Sequence, residues 1–301
     1  MKLIKSVPLT QNSSIIQLPA GKYRGFWLNY NGTNQTSQTL AATDLGTVAL
    51  KIKGRQVQLI EISRLQFINN LKHGAVAASS TISAAFNFSA FLPMFVPGDS
   101  SNVLFVESDA EAVLELNGFY SAGVTVIASG NASVYGIPAE GIQRYFLNIM
   151  QQDFNTVLGN GSQALPGLEN FFELFILYSA NLASLSVLVD GQARLSDAAL
   201  QLMIDQTNLI NAIETYTATP TYLDIPLSNT GDLTEALGDT CVLNYRVTSA
   251  AISPLKVVVF SVDWDPAKQK ASSLVLQSNV GAKLDQKLRM NKTRVVQSLA
   301  L

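Results

Sequence analysis

Short runs of alternating apolar and polar residues dominate the chain. Val48-Ala49-Leu50-Lys51-Ile52-Lys53-Gly54 alternates, which predicts a strand with one buried and one polar face, ending at a tight turn. Ser14–Leu18 precedes Pro19-Ala20-Gly21, and Phe26–Tyr30 precedes Asn31-Gly32, so each reads as a strand closed by turn chemistry. Ala112–Leu116 and Val124–Ile127 repeat the theme. Many short strands broken at intervals of roughly 8–12 residues predict a sandwich or barrel.

One stretch departs from this rhythm. Ile142, Tyr145, Phe146, Ile149, Met150, Phe154 and Leu158 fall three and four apart, after Pro138 and before Gly159. That spacing predicts an amphipathic helix, and Gly159-Asn160-Gly161-Ser162 with Leu165-Pro166-Gly167 predicts a loop behind it. Residues 138–167 therefore read as a helical linker between two β-domains.

The second half repeats the pattern of the first. Val48–Gly54 has its counterpart in Leu185–Gly191, 137 residues further on, and both end in a charged residue followed by glycine. Each follows an aromatic strand, Phe26–Tyr30 or Phe171–Tyr178. Each precedes a predicted helix: one carries Ile62, Leu65, Ile68 and Leu71, the other Leu200, Met203, Ile204 and Ile210 behind a Ser196 N-cap. Two late strands, expected to pair with each other, close each half: Ala112–Leu116 with Val124–Ile127, and Val242–Val247 with Val257–Val262. This shared order is the signature of an internal duplication.

Composition narrows the reading. Charged residues make up only 14% of the 301, against roughly a quarter in a typical soluble domain, which suits a surface largely covered by other copies. A net charge of −2 gives no global attraction for nucleic acid or anionic lipid, and basic and aromatic residues are nowhere interleaved as nucleic-acid binding requires. Residues 265–301 hold seven Lys/Arg against two Asp, the pattern of a solvated basic arm. The lone Cys241 excludes an intrachain disulfide and lies in a predicted strand, where a buried thiol is expected. No apolar run reaches the length of a membrane-spanning helix, and Met1–Pro8 lacks a signal-peptide core, so the chain is expected to be made and kept in the cytoplasm.

Taken in order, these features resemble the double-jelly-roll major capsid proteins of tailless icosahedral bacteriophages with an internal membrane, the corticovirus-like ones above all. The residues that carry the likeness are Leu18-Pro19-Ala20-Gly21, Gly54-Arg55 before a short helix, Arg144-Tyr145-Phe146, Leu165-Pro166 and Asp190-Gly191. The resemblance spans about residues 14–264. It implies an all-β chain of two tandem eight-stranded jelly-roll barrels: an N-terminal arm at 1–13, a first barrel at 14–137, the linker at 138–167, a second barrel at 168–264 and a C-terminal arm at 265–301. It further implies a homotrimeric, pseudo-hexagonal tile in a virion capsid. The partners would be neighbouring trimers, penton or minor capsid proteins and, through the terminal arms, the membrane beneath.

Candidate chemistry is sparse. His73, the one histidine, precedes Gly74 at a helix end, where its cationic form would favour the C-terminal dipole. One His and one Cys cannot furnish a zinc site or a supported Cys-His pair, and no catalytic residue or cofactor is expected. Two carboxylate groups stand out, Glu107/Asp109/Glu111 and Asp263/Asp265 around Trp264. Paired carboxylates can hydrolyse a glycoside or hold calcium. The first group lacks the glycine-punctuated spacing of a dedicated calcium loop, and solvated turns are the expectation for both. Some relatives of the resembled family bind structural calcium, but its ligands have no assignable place in this sequence. A carbohydrate-active double jelly roll and a trimeric viral spike are the competing functions. The first is disfavoured by having only Trp27 and Trp264 to line a groove, the second by the duplication itself.

Overall fold

The computed structural model describes residues 1–9, 13–34, 40–41, 45–73, 81–82, 85–96, 102–109, 111–118, 127–165, 170–211, 219–227, 240–249 and 255–264. The main body, Met1–Asp263, is one compact unit. Its strands in chain order are β1 (Lys2–Pro8), β2 (Ser13–Gln17), β3 (Gly21–Asn34), β4 (Leu40–Ala41), β5 (Thr47–Ile52), β6 (Arg55–Glu61), β7 (Thr81–Ile82), β8 (Ala85–Pro93), β9 (Leu104–Val106), β10 (Ala112–Asn117) and β11 (Ile127–Pro138). The second set is β12 (Tyr145–Phe154), β13 (Gly159–Leu165), β14 (Phe171–Leu177), β15 (Leu182–Val189), β16 (Gln192–Ala199), β17 (Tyr222–Pro226), β18 (Cys241–Val247) and β19 (Leu255–Trp264). Helix α1 (Ile62–His73) follows β6, and α2 (Leu200–Ile210) follows β16.

The duplication read from the sequence is present strand by strand. In the first half one layer has the order β2-β10-β5-β6 and the other β1-β11-β3-β8. In the second half the layers are β13-β18-β15-β16 and β12-β19-β14-β17, the same two orders. Alternate residues of the second pair of layers form one core, with Leu174, Ile176, Val257 and Val259 facing Leu185, Val187 and Leu243. The charged-Gly turns match as well. Lys53 and Gly54 have φ of 50° and 79°, and Asp190 and Gly191 have 50° and 74°. Positive φ at both central residues is the two-residue turn whose twist suits a hairpin. The amide of Lys53 donates to Glu111 O at 2.8 Å, as that of Asp190 does to Thr240 O at 3.0 Å.

Several expectations are corrected. Residues 138–158 form no helix: Tyr145, Leu147 and Ile149 are buried at alternate positions of strand β12, while Ile142 and Leu158 are exposed. Apolar residues at 145, 146, 149 and 150 satisfy either period, and pairing along β12 decided for the strand. The Gly159–Ser162 loop is strand β13, and the Asn31-Gly32 turn lies inside β3. Glycine marks close approach there. A Cβ on Gly161 would stand 2.3 Å from the ring of its cross-strand partner Tyr245, and one on Gly32 2.3 Å from Ser129 O.

Residues 2–8 of the supposed N-terminal arm pair with β11 as an edge strand of the first barrel. The first barrel thus comprises β1–β11 and the second β12–β19, with the changeover between Pro138 and Tyr145. The late strands of each half do not pair with each other, because β10 and β11 belong to opposite layers, as do β18 and β19. Ser196 lies in β16, which runs on to Ala199, so Ala199 is the N-cap of α2 and makes no side-chain cap. The predicted core faces of the helices hold at Ile62, Leu65, Ile68, Met203 and Ile204, which are buried, whereas Ile210 is 39% exposed. Asp265 and the basic arm at 265–301 lie outside the described residues.

Candidate functional site

The feature with the most concentrated chemistry is the seam between the barrels. Strand β6 ends one layer of the first barrel, β12 ends one layer of the second, and the two pair in parallel at Gln58↔Ile149 and Leu59↔Met150. The result is one eight-stranded sheet, β17-β14-β19-β12-β6-β5-β10-β2, shared by both barrels. Gln58 is fully buried beside this joint, and its Nε2 donates to Leu147 O at 2.9 Å and Pro93 O at 3.2 Å.

Helix α1 supplies the seam's charge. Arg64 and Lys72 lie eight residues, a little over two turns, apart, and both reach the second barrel. Arg64 is 3% exposed and donates two bonds to Asp153 on β12, at 2.7 and 2.8 Å, while Nε reaches Glu61 at 2.8 Å. Burial opposes its charge, but these two carboxylates outweigh that and raise its pKa further. Lys72 donates to Glu173 on β14 and, at 2.7 Å, to Asp224 on β17, with its ammonium 5.3 Å from the Phe175 ring centroid. Arg55 meets Asp263 at 2.5 Å. In all three contacts the first barrel contributes the cation and the second the anion.

The Lys72 cluster is buried and unequally charged. Asp224 also accepts from Asn211 Nδ2 at 2.9 Å, and its backbone amide donates to Thr207 Oγ1 at 2.9 Å. Two carboxyls thus share one ammonium. Burial and the neighbouring Asp224 charge push the Glu173 carboxyl up to about 8, against the pull of Lys72. Desolvation depresses the Lys72 pKa, but attraction to the two carboxyls prevails and raises it. Around them Phe172, Phe175, Phe260 and Tyr222 are buried, with Phe175 and Phe260 packed edge-to-face at 5.1 Å between centroids. This is a desolvated, charge-complementary joint. Lys72 spends its bonds on the two carboxyls, while Asp224 Oδ1 stays buried without a hydrogen-bond partner.

Of the residues singled out in the sequence, Asp263 falls at the seam and the first carboxylate group does not. Glu111 accepts from the amides of Glu107 and Ser108 at 2.9 and 3.3 Å and pairs with Lys53 at 3.0 Å, and Asp109 accepts from the Ala20 amide at 2.7 Å. These carboxylates organise a turn. Asp263 belongs to the seam, at the end of β19, and His73 is the last residue of α1. Cys241 is buried in β18 and its thiol is pushed up to about 12 by burial. Among the described residues no group of three or more His, Cys, Asp or Glu side chains gathers where it could hold a metal. The seam cations Arg64 and Lys72 were not foreseen. The available signal was that they are the two Lys/Arg residues of α1 and stand eight apart.

No protein-family model matches the chain, and no curated protein matches it in sequence. Solved structures do. The major capsid protein P2 of bacteriophage PM2 superposes with a TM-score of 0.61 at 12% identity, over 88% of this chain and 96% of that one. The STIV MCP gives 0.65 at 9% identity, over 90% and 97%. The fold is a double jelly roll. A structure from Sulfolobus turreted icosahedral virus agrees, with a TM-score of 0.63 at 12% identity over 94% of this chain and 96% of that one. The double jelly roll covers the body of the chain, and the seam is the joint between its two barrels.

Proposed function

We propose that this chain is the major capsid protein of a tailless icosahedral virus, acting as a homotrimeric tile in the virion shell, and that it works by assembly without catalysis. The observation that carries the reading is the correspondence of the entire two-barrel architecture with capsid proteins, which covers nearly all of both chains. A fold alone does not dictate function. Two further features support this one. The barrels are locked by a shared sheet and buried ions, so the pair can act as one stiff unit. The low charged fraction of 14% suits a surface that neighbours cover.

Three such chains place six similar barrels in a ring, and a near-hexagonal ring can tile a curved surface. The 265–301 segment is the arm this reading assigns to neighbours or to an underlying membrane. The test is the native mass of the purified chain and its abundance in particles. The expected result is a species of about three times 32.4 kDa, present in many copies per particle. A stable monomer absent from particles would overturn the proposal.

A further inference from the structure

The duplication makes the seam a template for a contact that the single chain leaves unmade. Within the chain, β6 and α1 of the first barrel bind the β12-β19-β14-β17 layer of the second. The counterparts of β6 and α1 are β16 and α2, and the counterpart of that layer is β1-β11-β3-β8. Among the described residues, β16 and β1 each end a sheet, with their outer edges unpaired. Seven of the eight β16 residues lie at least partly open to solvent. Two such edges invite pairing with another chain.

The side chains agree. At 137 or 138 residues beyond Arg55, Arg64 and Lys72 stand Gln192, Leu202 and Ile210. Leu202 and Leu209 are 57% and 82% exposed on α2, two leucines with Asp205 and Gln206 between them where α1 has a covered ionic face. The outer face of the receiving layer carries a cross-strand row, Tyr135–Trp27–Phe91, and all three rings are only half-buried. Where the internal seam matches cation to anion, this second pair of surfaces matches apolar to aromatic.

We infer that β16 of one copy adds in parallel to β1 of the next, with Leu202, Leu209 and Ile210 of its α2 seated on the Trp27, Phe91 and Tyr135 face. This repeats the internal seam between chains, head to tail. It rests on the trimer reading above and specifies which edges close the ring. Pro8 and Phe154 end equivalent strands 146 residues apart, so the Gln58↔Ile149 register maps onto Leu195 and Leu3. Leu3 and Ser196 are both exposed and lie within one position of that register.

The experiment pairs Leu3→Cys with Ser196→Cys in the full chain under mild oxidation, read as covalent mass; native Cys241 is buried and stays out of the exchange. The control pairs Leu3→Cys with Ser162→Cys, on the opposite edge strand β13. A covalent trimer from the first pair alone supports the inference. So does a shift of Leu202→Asp from trimer to monomer with an unchanged unfolding midpoint of the monomer. A native trimer in which the first pair stays unlinked, or in which the control links equally, overturns the edge pairing and leaves the trimer standing. A wild-type chain that is monomeric at every concentration overturns both.

Discussion

Helices α1 and α2 occupy equivalent places in two copies of one design, yet they face opposite environments. Helix α1 presents Arg64 to the half-open Asp153 and Lys72 to the buried Glu173 and Asp224 of the other barrel, whereas α2 presents Leu202 and Leu209 to solvent. The strands and turns around them are the same in order. The difference therefore lies in what each helix meets. A charged seam makes a joint that is costly to break once a partner charge is left buried alone. An apolar face remains soluble enough in a single chain and adheres when a complementary surface arrives.

The contrast is broken most strongly at Lys72. Lys72→Ala leaves Glu173 and Asp224 buried without their ammonium and is expected to cost about 3–5 kcal/mol in urea unfolding. Arg64→Ala should follow, at about 1.5–3 kcal/mol, because its partners Asp153 and Glu61 keep some access to water. The equivalent turn glycines sharpen the likeness between the halves. Gly54→Ala and Gly191→Ala should each cost about 1–2 kcal/mol, and by nearly equal amounts, since both need positive φ and neither Cβ would touch a neighbour. Unequal costs would mean that the two hairpins are not the same element. At the small end, Leu202→Ala should change the stability of the isolated chain by no more than about 0.5 kcal/mol.

A pH series probes the same joint. With its carboxyl raised from the usual 4.5 to about 8, native Glu173 holds a proton that the unfolded chain releases. Its contribution is full below pH 4.5 and is lost as pH rises through 8. Glu173→Gln should flatten that part of the stability profile. An unaltered slope would place the titration elsewhere.

The halves of this fold differ in how readily they are read from residues. The Lys53-Gly54 and Asp190-Gly191 turns were legible because each charged-Gly pair closes an alternating strand. The helices beyond them were legible because Ile62, Leu65 and Ile68 recur three apart, and Met203 and Ile204 side by side, on a buried face. The 138–158 stretch was not, because Tyr145, Phe146, Ile149 and Met150 fit a helix as well as a two-sided strand. What settles β12 is a neighbour, β6, that lies some 90 residues away in sequence. Gly32 and Gly161 misled for a related reason: glycine marks a turn, but equally a place where another strand's carbonyl or Tyr245 ring comes close. The seam ions were invisible in the same way, since Lys72 finds Glu173 and Asp224 only after both barrels have formed.

Two barrels fused by one seam serve, on this reading, as a third of a capsid tile. An electron cryomicroscopy reconstruction of particles containing this chain tests it most directly. The predicted result is a shell of near-hexagonal units, each with six jelly-roll barrels from three copies of the chain, with continuous sheet across both internal and interchain seams. Density for the chain only in isolated projections, or a shell built from other barrels, would contradict it.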